Sequence, residues 1–333
     1  MSFALHYCLA MILDLVVGDP RWFPHPIRGI GTLCQWFERL ARKTLGDGRS
    51  AGALAFVGVL GVTVVVVFAT CSFLHKYTPW LEIVMAILLV YFGLACRDLR
   101  DHSMAVYAAL EQHHDLTTAR RALQQIVGRD TANLDEVDIA RGAVESIAEN
   151  LVDGVLAPLF WGIVASLWGL PTTISAIGLA ATGVFFYKVI NTMDSMYGYK
   201  NSRYLLFGRV AARVDDLATF IPARLSVPFL LLSALLLRLD VMNGLRICWR
   251  DRLEHSSPNG GHPESVVAGI LGVQLGGAAT YFGKTVIKPT IGEKTRIITR
   301  DDILVANRLL LLSSLLFLAA GLLIRELILR AVL

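Results

Sequence analysis

The feature that most limits the folds open to this chain is an unbroken apolar stretch at residues 51–74. A helix needs roughly 20 mostly apolar residues to cross a hydrocarbon core, so this stretch is long enough to span a bilayer. Residues 80–96 and 303–324 are similar, and 155–187 can form two short helices with a break at 169–171. The chain is 55% hydrophobic and only 17% charged, less charge than a soluble domain carries. These features predict an all-α, polytopic integral membrane bundle in a lipid bilayer.

Three weaker apolar segments, 3–17, 222–237 and 265–282, complete the predicted bundle as short spans, re-entrant pieces or buried helices. The first lacks the basic start of a signal peptide and contains Asp14, so it is expected to remain as the first helix. Segment 222–237 is expected not to cross fully, or to belong to a helix pair that re-enters, because a true span there would place Arg246, Arg250 and Arg252 on the far side of the membrane.

The chain is predicted to form a single domain over residues 1–333, with a soluble helical insertion at about 97–150. A helix within it is expected to start near Asn133 or Asp135 and to run through Glu149. The first three polar blocks, 18–50, 97–154 and 188–224, are rich in Lys and Arg. The positive-inside rule therefore predicts a multi-pass protein of the cell (inner) membrane, with its polar helical portion and active site at the cytoplasmic face. The five cysteines are scattered, which predicts neither a disulfide framework nor a zinc site.

The first polar constellation follows the first apolar segment. Three prolines between residues 20 and 26 exclude a continuous helix and predict a rigid loop that holds Asp19 and His25. Asp14 lies at membrane depth, where an ionisable group is costly and suggests a functional site. A turn role for Asp19 and a structural role for His25 stay equally open.

The second constellation is a stripe of charges at four-residue spacing: Arg141, Glu145, Glu149 and Asp153. On a helix these side chains share one face, and like charges at this spacing destabilise the helix. A divalent cation would compensate, and magnesium takes one or two carboxylates together with substrate phosphates. The alternative is a solvated charged face.

The third constellation occupies residues 188–216. Lys188, Asn191 and Ser195 share a helix face beside Asp194, and Gly198 can end that helix. Basic residues alternate with tyrosines in 199–204, which suits a phosphate or a flat anionic ligand. Arg209, Arg213 and Asp216 are expected on the next helical face, and an ordinary surface loop is the alternative.

The fourth constellation lies at residues 255–264, where Ser257-Pro-Asn-Gly-Gly predicts a tight turn with exposed backbone N–H groups. Such a turn can cradle an anion. The sequence contains neither a P-loop nor a dinucleotide-binding glycine motif, and spacing alone supports no Ser-His-Asp arrangement.

Together the four blocks resemble the CobD/CbiB family, the membrane-bound cobinamide-phosphate synthases of vitamin B12 biosynthesis. The resemblance covers almost the whole chain and is carried, in order, by DLVVGDPRWFPHPIRGIG, ESIAENLVDGVLAPLFW, NTMDSMYGYKNSRYLLFGRVAARVDD with IPARLS, and HSSPNGGHPES with AGILGVQLGG. One departure is at His262 and Ser265, where the family pattern leads us to expect a bulkier aromatic and an alanine.

The resemblance implies an ATP-dependent amide ligation with Mg²⁺. The free carboxylate of adenosylcobyric acid would be joined to the amine of aminopropanol or aminopropanol phosphate, giving adenosylcobinamide or its phosphate. Besides these substrates and the bilayer, later membrane enzymes of the corrinoid pathway and further copies of the chain are candidate partners. No nucleic acid is expected.

Residue roles follow as expectations from this resemblance and from the chemistry of phosphoryl transfer, which depends on positioning and charge neutralisation. Magnesium is expected on Glu145, Glu149, Asp153, Asp215 and Asp216. Phosphate oxygens are expected on Lys188, Lys200, Arg203, Arg213 and Arg224. Catalytic roles are expected for Asp19, His25, Glu149, Asp194, Asp215 and Asp216, with Asp19 or His25 deprotonating or gripping the amine. Further substrate or ATP contacts are expected from Asp14, Arg28, Asn150, Asn191, Ser195, Tyr199, Asn201, Tyr204, Ser257, Asn259 and Glu264.

Two other functions fit a scaffold of this kind. A non-catalytic, AmpE-like membrane signalling protein is expected to have lost the GDP–PHP and NTMDS blocks, and this chain keeps both. A transporter is expected to carry polar residues within its spans, whereas the charged residues here cluster in the connecting blocks.

Overall fold

The computed structural model describes residues 2–20, 22, 24–112, 116–169, 173–199, 201–281 and 283–332. Within these residues, six helical segments are long and apolar enough to cross a membrane: Arg49–Tyr77, Pro79–Gln112, Glu136–Ser166, Ala176–Tyr197, Arg209–Leu236 and Asp301–Val332. Exposed valines on the first of them, such as Val57, Val65 and Val66, suit a surface that faces lipid. The predicted polytopic membrane bundle is confirmed.

The helices are, in chain order, α1 (Phe3–Val17), α2 (Pro26–Leu45), α3 (Arg49–Tyr77), α4 (Pro79–Gly93), α5 (Cys96–Gln112), α6 (Leu116–Gln124), α7 (Glu136–Leu151), α8 (Ala157–Ser166), α9 (Ala176–Tyr197), α10 (Arg209–Leu236), α11 (Val241–Asp251), α12 (Gly261–Leu271) and α13 (Asp301–Val332). A π-helical turn, Val152–Leu156, follows α7, and two strands, β1 (Gln274–Tyr281) and β2 (Lys284–Gly292), form an antiparallel hairpin. The chain divides into two compact units, which are Met1–Ala95 with Ala157–Thr219 and Leu318–Leu333, and Cys96–Leu156 with Phe220–Phe317. The single-domain description and the insertion at 97–150 stay predictions.

The first unit is built around α9, which packs against α2, α3, α4 and α8. The Ser175 hydroxyl caps α9 by accepting a hydrogen bond from Gly178 N–H at 3.1 Å, and Gly198 follows its last residue. Helix α9 is buried on most sides. Its polar residues Asn191, Asp194 and Ser195 lie near its C-terminal end, as the sequence predicts.

The second unit is built around α12, all of whose residues are buried. This helix packs against α7, α11 and both strands. The Asp135 side chain caps α7 by accepting a hydrogen bond from Asp138 N–H at 2.8 Å, which confirms the predicted start of that helix.

The structure changes the description of two weaker apolar segments: 222–237 belongs to a longer helix, whose full crossing stays a prediction, and the expected helix or span over 265–282 is wrong beyond Leu271. Segment 222–237 is the second half of α10, a continuous helix of 28 residues with Pro222 and Pro228 inside it. Prolines are tolerated in such a helix when other groups satisfy the carbonyls that they free. The Trp161 indole N–H donates at 3.0 Å to the carbonyl of Ala218, which lies four residues before Pro222. Segment 265–282 is helical only to Leu271. Gly272 ends α12 at a positive φ of 64°, and the chain then turns into β1.

The close approach of α8 and α9 provides a test of the fold. A Cβ atom at Gly183 of α9 would overlap the Trp161 carbonyl oxygen and would lie 2.6 Å from Ala165 Cβ. Because a backbone oxygen cannot move aside easily, Gly183→Ala should destabilise the protein by about 1–3 kcal/mol. The measurement is the thermal unfolding midpoint of the purified protein in one detergent.

Gly61 of α3 is the matched control, since a Cβ there meets nothing within 4 Å. Gly61→Ala should leave the midpoint unchanged or raise it, because alanine favours a helix over glycine by about 1 kcal/mol. Equal midpoints for the two variants would contradict the tight α8–α9 packing.

Candidate functional site

A polar cavity of about 120 Å³ lies within the second unit. We call it the carboxylate pocket, because four carboxylates line it: Glu145, Glu149, Glu254 and Glu264. Two cations, Arg129 and Lys288, also line it, together with His255, backbone of β1 and β2, and the segment after α6. Its excess of acidic groups suits a small positively charged ligand.

Helix α7 supplies Glu145 and Glu149 from successive turns, as their four-residue spacing predicts. Glu145 forms an ion pair with Arg129 and accepts a hydrogen bond from Gly276 N–H at 2.7 Å. Asp153 lies in the π-helical turn instead, so the regular four-residue stripe ends at Glu149. Glu149 is exposed and lines the cavity.

Helix α12 supplies Glu264, a carboxyl group that is only 4% exposed. Burial, with the charges of Glu149 and Glu145 adding to it, raises the pKa of Glu264 well above its usual range. His255 Nε2 lies 3.6 Å from Glu264 Oε1. The Ser257 N–H donates to His255 Nδ1 at 3.1 Å, which favours the tautomer whose proton is on Nε2, facing the carboxyl group.

Strand β2 brings Lys288 to the same cavity. Burial alone would lower the pKa of Lys288, but the Tyr281 hydroxyl and the Glu149 and Glu145 carboxylates outweigh it, and the pKa is raised. Lys288 is therefore a fixed positive charge in the pocket. Sequence reasoning missed it, because its neighbours in the chain carry no motif.

The predicted turn at 255–261 forms next to α12. Ser257 Oγ accepts from Asn259 N–H at 3.2 Å, and Arg224 donates to Asn259 Oδ1 at 3.2 Å. His262 is buried, and its burial together with the charges of Arg224 and Arg252 lowers its pKa to about 4. Its imidazole is therefore neutral at physiological pH.

The first unit holds the Asp19 and His25 pair. His25 Nε2 lies 3.3 Å from Asp19 Oδ1, and His25 Nδ1 accepts from Ile27 N–H at 3.3 Å, which caps α2. The structure thus gives His25 the structural role that the sequence left open and still pairs it with Asp19. Asp14 is fully buried in α1.

Glu38 of α2 is a buried hub that sequence reasoning did not select. It accepts hydrogen bonds from Arg42 Nε at 2.9 Å, from both Arg203 Nε and its terminal nitrogen at 3.2 and 3.0 Å, and from the Tyr204 hydroxyl at 3.3 Å. Arg203 and Tyr204, expected to contact substrate or ATP, are therefore oriented by Glu38. The four-residue spacing of Glu38 and Arg42 was the signal available in the sequence.

The remaining predicted residues fall into both units. Asn191 Nδ2 lies 3.5 Å from Asp215 Oδ1, which joins α9 to α10 in the first unit. Lys188, Asp194 and Ser195 lie on α9, Arg213 and Asp216 on α10, and Arg28 on α2. Asn201 accepts from Tyr204 N–H at 3.0 Å, Tyr199 follows α9, and Asn150 donates to the Ser146 carbonyl at 2.9 Å. Lys200 lies outside the described residues.

The expected magnesium site can be compared with the groups of possible metal ligands in the structure. In the part of the chain that the structure describes, no three His, Cys, Asp or Glu side chains are grouped to hold a metal ion. Magnesium at a nucleotide needs only one or two protein carboxylates, since phosphate and water supply the rest. The single exposed carboxylate of Glu149 fits this limited demand.

Comparison with known proteins agrees with the resemblance found in the sequence. A family model described as "CobD/Cbib protein" matches residues 7–310. The chain is 44% identical to cobalamin biosynthesis protein CobD of Desulfotalea psychrophila over 320 residues, which cover 95% of this chain and 97% of that protein. It is 43% identical to CobD of Klebsiella pneumoniae and 42% identical to CbiB of Salmonella typhi, each over 318 residues and 95% of both chains. No solved structure matches the chain significantly.

The Glu38 hub provides a prediction about stability. Removing the carboxylate leaves Arg42 and Arg203 without their shared acceptor, so Glu38→Ala should destabilise the protein by about 1.5–3 kcal/mol. Asp47 is the matched control, since it also pairs with Arg42 but is 82% exposed. Asp47→Ala should cost about 0–1 kcal/mol. Chemical unfolding in mild detergent measures both, and equal losses would contradict the hub.

Glu264 provides a prediction about pH. Unfolding returns its raised pKa to the ordinary value, so between the two values the folded protein binds the extra proton and loses stability as the pH rises. Glu264→Gln removes this loss. The unfolding midpoint of the variant minus that of the parent should therefore grow between about pH 5 and about pH 8.

Glu254 is the control for this measurement, because it lines the same pocket but is exposed. For Glu254→Gln the difference in midpoint should stay constant over the same range. A constant difference for Glu264→Gln as well would show that the folded protein does not hold this carboxyl group protonated.

Proposed function

The chain belongs to the CobD/CbiB family, and from this premise we propose that it is the amide-forming ligase of cobalamin biosynthesis. The reaction joins the free carboxylate of adenosylcobyric acid to the amine of aminopropanol or aminopropanol phosphate, with ATP and Mg²⁺. The product is adenosylcobinamide or its phosphate. The observation that carries the proposal is the carboxylate pocket, with its buried Glu264 beside Glu149 and Lys288.

The reaction needs activation of the carboxylate and deprotonation of the amine. A carboxylate does not react with an amine near pH 7, so phosphoryl transfer from ATP first converts it to an acyl phosphate. The amine then attacks the carbonyl carbon, the C–N bond forms, and phosphate leaves with the electron pair of the broken C–O bond. The amine is an ammonium ion at neutral pH, so it must lose a proton before it can attack.

The carboxylate pocket suits the capture and deprotonation of this amine. Its volume of about 120 Å³ admits a small amino alcohol but not a corrin ring or a nucleotide. Glu149 attracts the ammonium group, whose positive charge favours the ionised form of Glu264, and ionised Glu264 then accepts a proton from it. A raised pKa makes Glu264 a stronger base than an ordinary carboxylate. Lys288 offers its charge to the hydroxyl or phosphate at the other end of the substrate.

The phosphoryl step needs carboxylates that bind Mg²⁺ and cations that bind phosphate oxygens. Bound Mg²⁺ would neutralise charge on the phosphate oxygens, with Glu149, or Asp215 and Asp216 on α10, as the candidate protein ligands. Glu145 is less suited to this role, because Arg129 and Gly276 N–H already engage its carboxylate. Arg213 is a candidate for holding phosphate oxygens, since Glu38 and Asn259 bind Arg203 and Arg224. Lys188 on α9 stays a second candidate because of its charge.

The test is a ligation assay of the purified protein with adenosylcobyric acid, Mg-ATP and each amine in turn. We expect the amide product together with ADP and phosphate, and no product when ATP is omitted. Glu264→Gln should lower kcat/KM for the amine at least about a hundredfold, with the KM for ATP little changed.

Glu136→Gln is the control variant, and it should keep nearly full activity because Glu136 is exposed on α7 and does not line the pocket. Product formation without ATP would overturn the acyl-phosphate route. An unchanged kcat/KM in Glu264→Gln would remove Glu264 from the proton transfer while leaving the family assignment intact.

A further inference from the structure

A second cavity, of about 440 Å³, lies within the first unit. We call it the arginine pocket, because Arg49, Arg209 and Arg213 line it. Aromatic and apolar side chains complete the wall, among them Tyr199 and Leu206. Of the described residues that line this cavity, none is acidic. The sequence predicts that Arg209 and Arg213 share a helical face and that Arg213 binds phosphate, whereas Arg49 was not predicted to join a site.

Nine other arginines in the described part of the chain form an ion pair with a carboxylate. Arg42, Arg129 and Arg296, for example, each form an ion pair with a buried or half-buried carboxylate. Arg49, Arg209 and Arg213, in contrast, form no ion pair with any residue that the structure describes. Arg209 lies close enough to the other two for their like charges to repel its own.

The positions of Arg49 and Arg209 make the repulsion between these positive charges less favourable still. Arg49 is the first residue of α3 and Arg209 is the first residue of α10. The helix macrodipole places partial positive charge at an N-terminus, so a cation there is unfavourable and an anion is favourable. Three unpaired guanidinium groups and two helix N-termini therefore all favour negative charge in one cavity.

We propose that the arginine pocket binds the phosphate group of an anionic ligand. Guanidinium groups bind phosphate with paired, charge-assisted hydrogen bonds, and three of them match a group with several negatively charged oxygens. Two sources present such a group to a membrane protein: a nucleotide triphosphate and an anionic phospholipid headgroup. The nucleotide source rests on the proposed function, whereas the lipid source is independent of it.

The experiment measures binding without turnover. The full-length protein is reconstituted in nanodiscs of phosphatidylcholine and titrated with radiolabelled ATP in one arm. In the other arm the nanodiscs contain phosphatidylglycerol as well, and mass spectrometry measures how much of each lipid stays with the protein after mild delipidation. We expect ATP binding, selective retention of phosphatidylglycerol, or both.

Variants then locate the ligand. Arg209→Gln and Arg213→Gln should each weaken the observed binding about tenfold, the effect of losing one charge-assisted hydrogen bond. Arg39→Gln is the control and should bind as the parent does, since Arg39 is exposed on α2 outside the pocket. Arg213→Lys keeps the charge and should restore part of the affinity, which checks that the fold is intact.

The two arms of the experiment distinguish the two sources of the phosphate group. Binding of ATP alone would identify a nucleotide site, and retention of phosphatidylglycerol alone would identify a lipid site. Absence of binding in both arms would overturn the proposal. Undiminished affinity in the combined Arg49→Gln, Arg209→Gln and Arg213→Gln variant would overturn it too. Because no ligation is measured, a protein that binds but makes no amide would contradict only the proposed function.

Discussion

The carboxylate pocket depends on how Glu145 is held. One carboxylate joins three separate parts of the second unit, because it pairs with Arg129 after α6, extends from α7 and accepts the N–H of Gly276 in β1. Gly142 makes this possible, since a Cβ there would lie 2.9 Å from the Arg129 guanidinium. Removing Glu145 would leave a buried guanidinium without its partner and a strand amide without its acceptor, and both losses are costly.

The strand that meets Glu145 needs an unusual backbone. Gly276 and Gly277 have φ values of 77° and 85°, and the pairing of β1 with β2 shifts register between Gly276 and Ala278. A bulge of this kind needs glycine, because side chains strongly disfavour positive φ. The bulge turns the Gly276 N–H toward Glu145 instead of toward β2. A local irregularity in a small hairpin thus places the wall of the pocket.

Much of this architecture could be predicted from the sequence, because apolar length and helical spacing are local signals. The long apolar stretches are helices, α7 starts where Asp135 caps it, and Gly198 follows α9. The hairpin was missed because its glycine-rich, mildly apolar strand resembles a weak membrane segment, and only pairing with β2 distinguishes the two. Lys288 and Arg49 were missed for a related reason: each joins a site through tertiary contacts, and no spacing in the sequence records them. The roles of the predicted site residues stay predictions.

The linings of the two cavities carry opposite excess charge, acidic in the carboxylate pocket and basic in the arginine pocket. When Arg and Glu side chains line one cavity they pair with each other, as Arg129 and Glu145 do, and neither then remains available to a ligand. In the carboxylate pocket the acidic groups exceed the cations, so part of the negative charge is left for an incoming ammonium ion. In the arginine pocket no acidic residue is among the described lining, so the positive charge is left for a phosphate. The ligation proposed above would consume a cationic amine and an anionic phosphate donor, so it would use both kinds of unpaired charge.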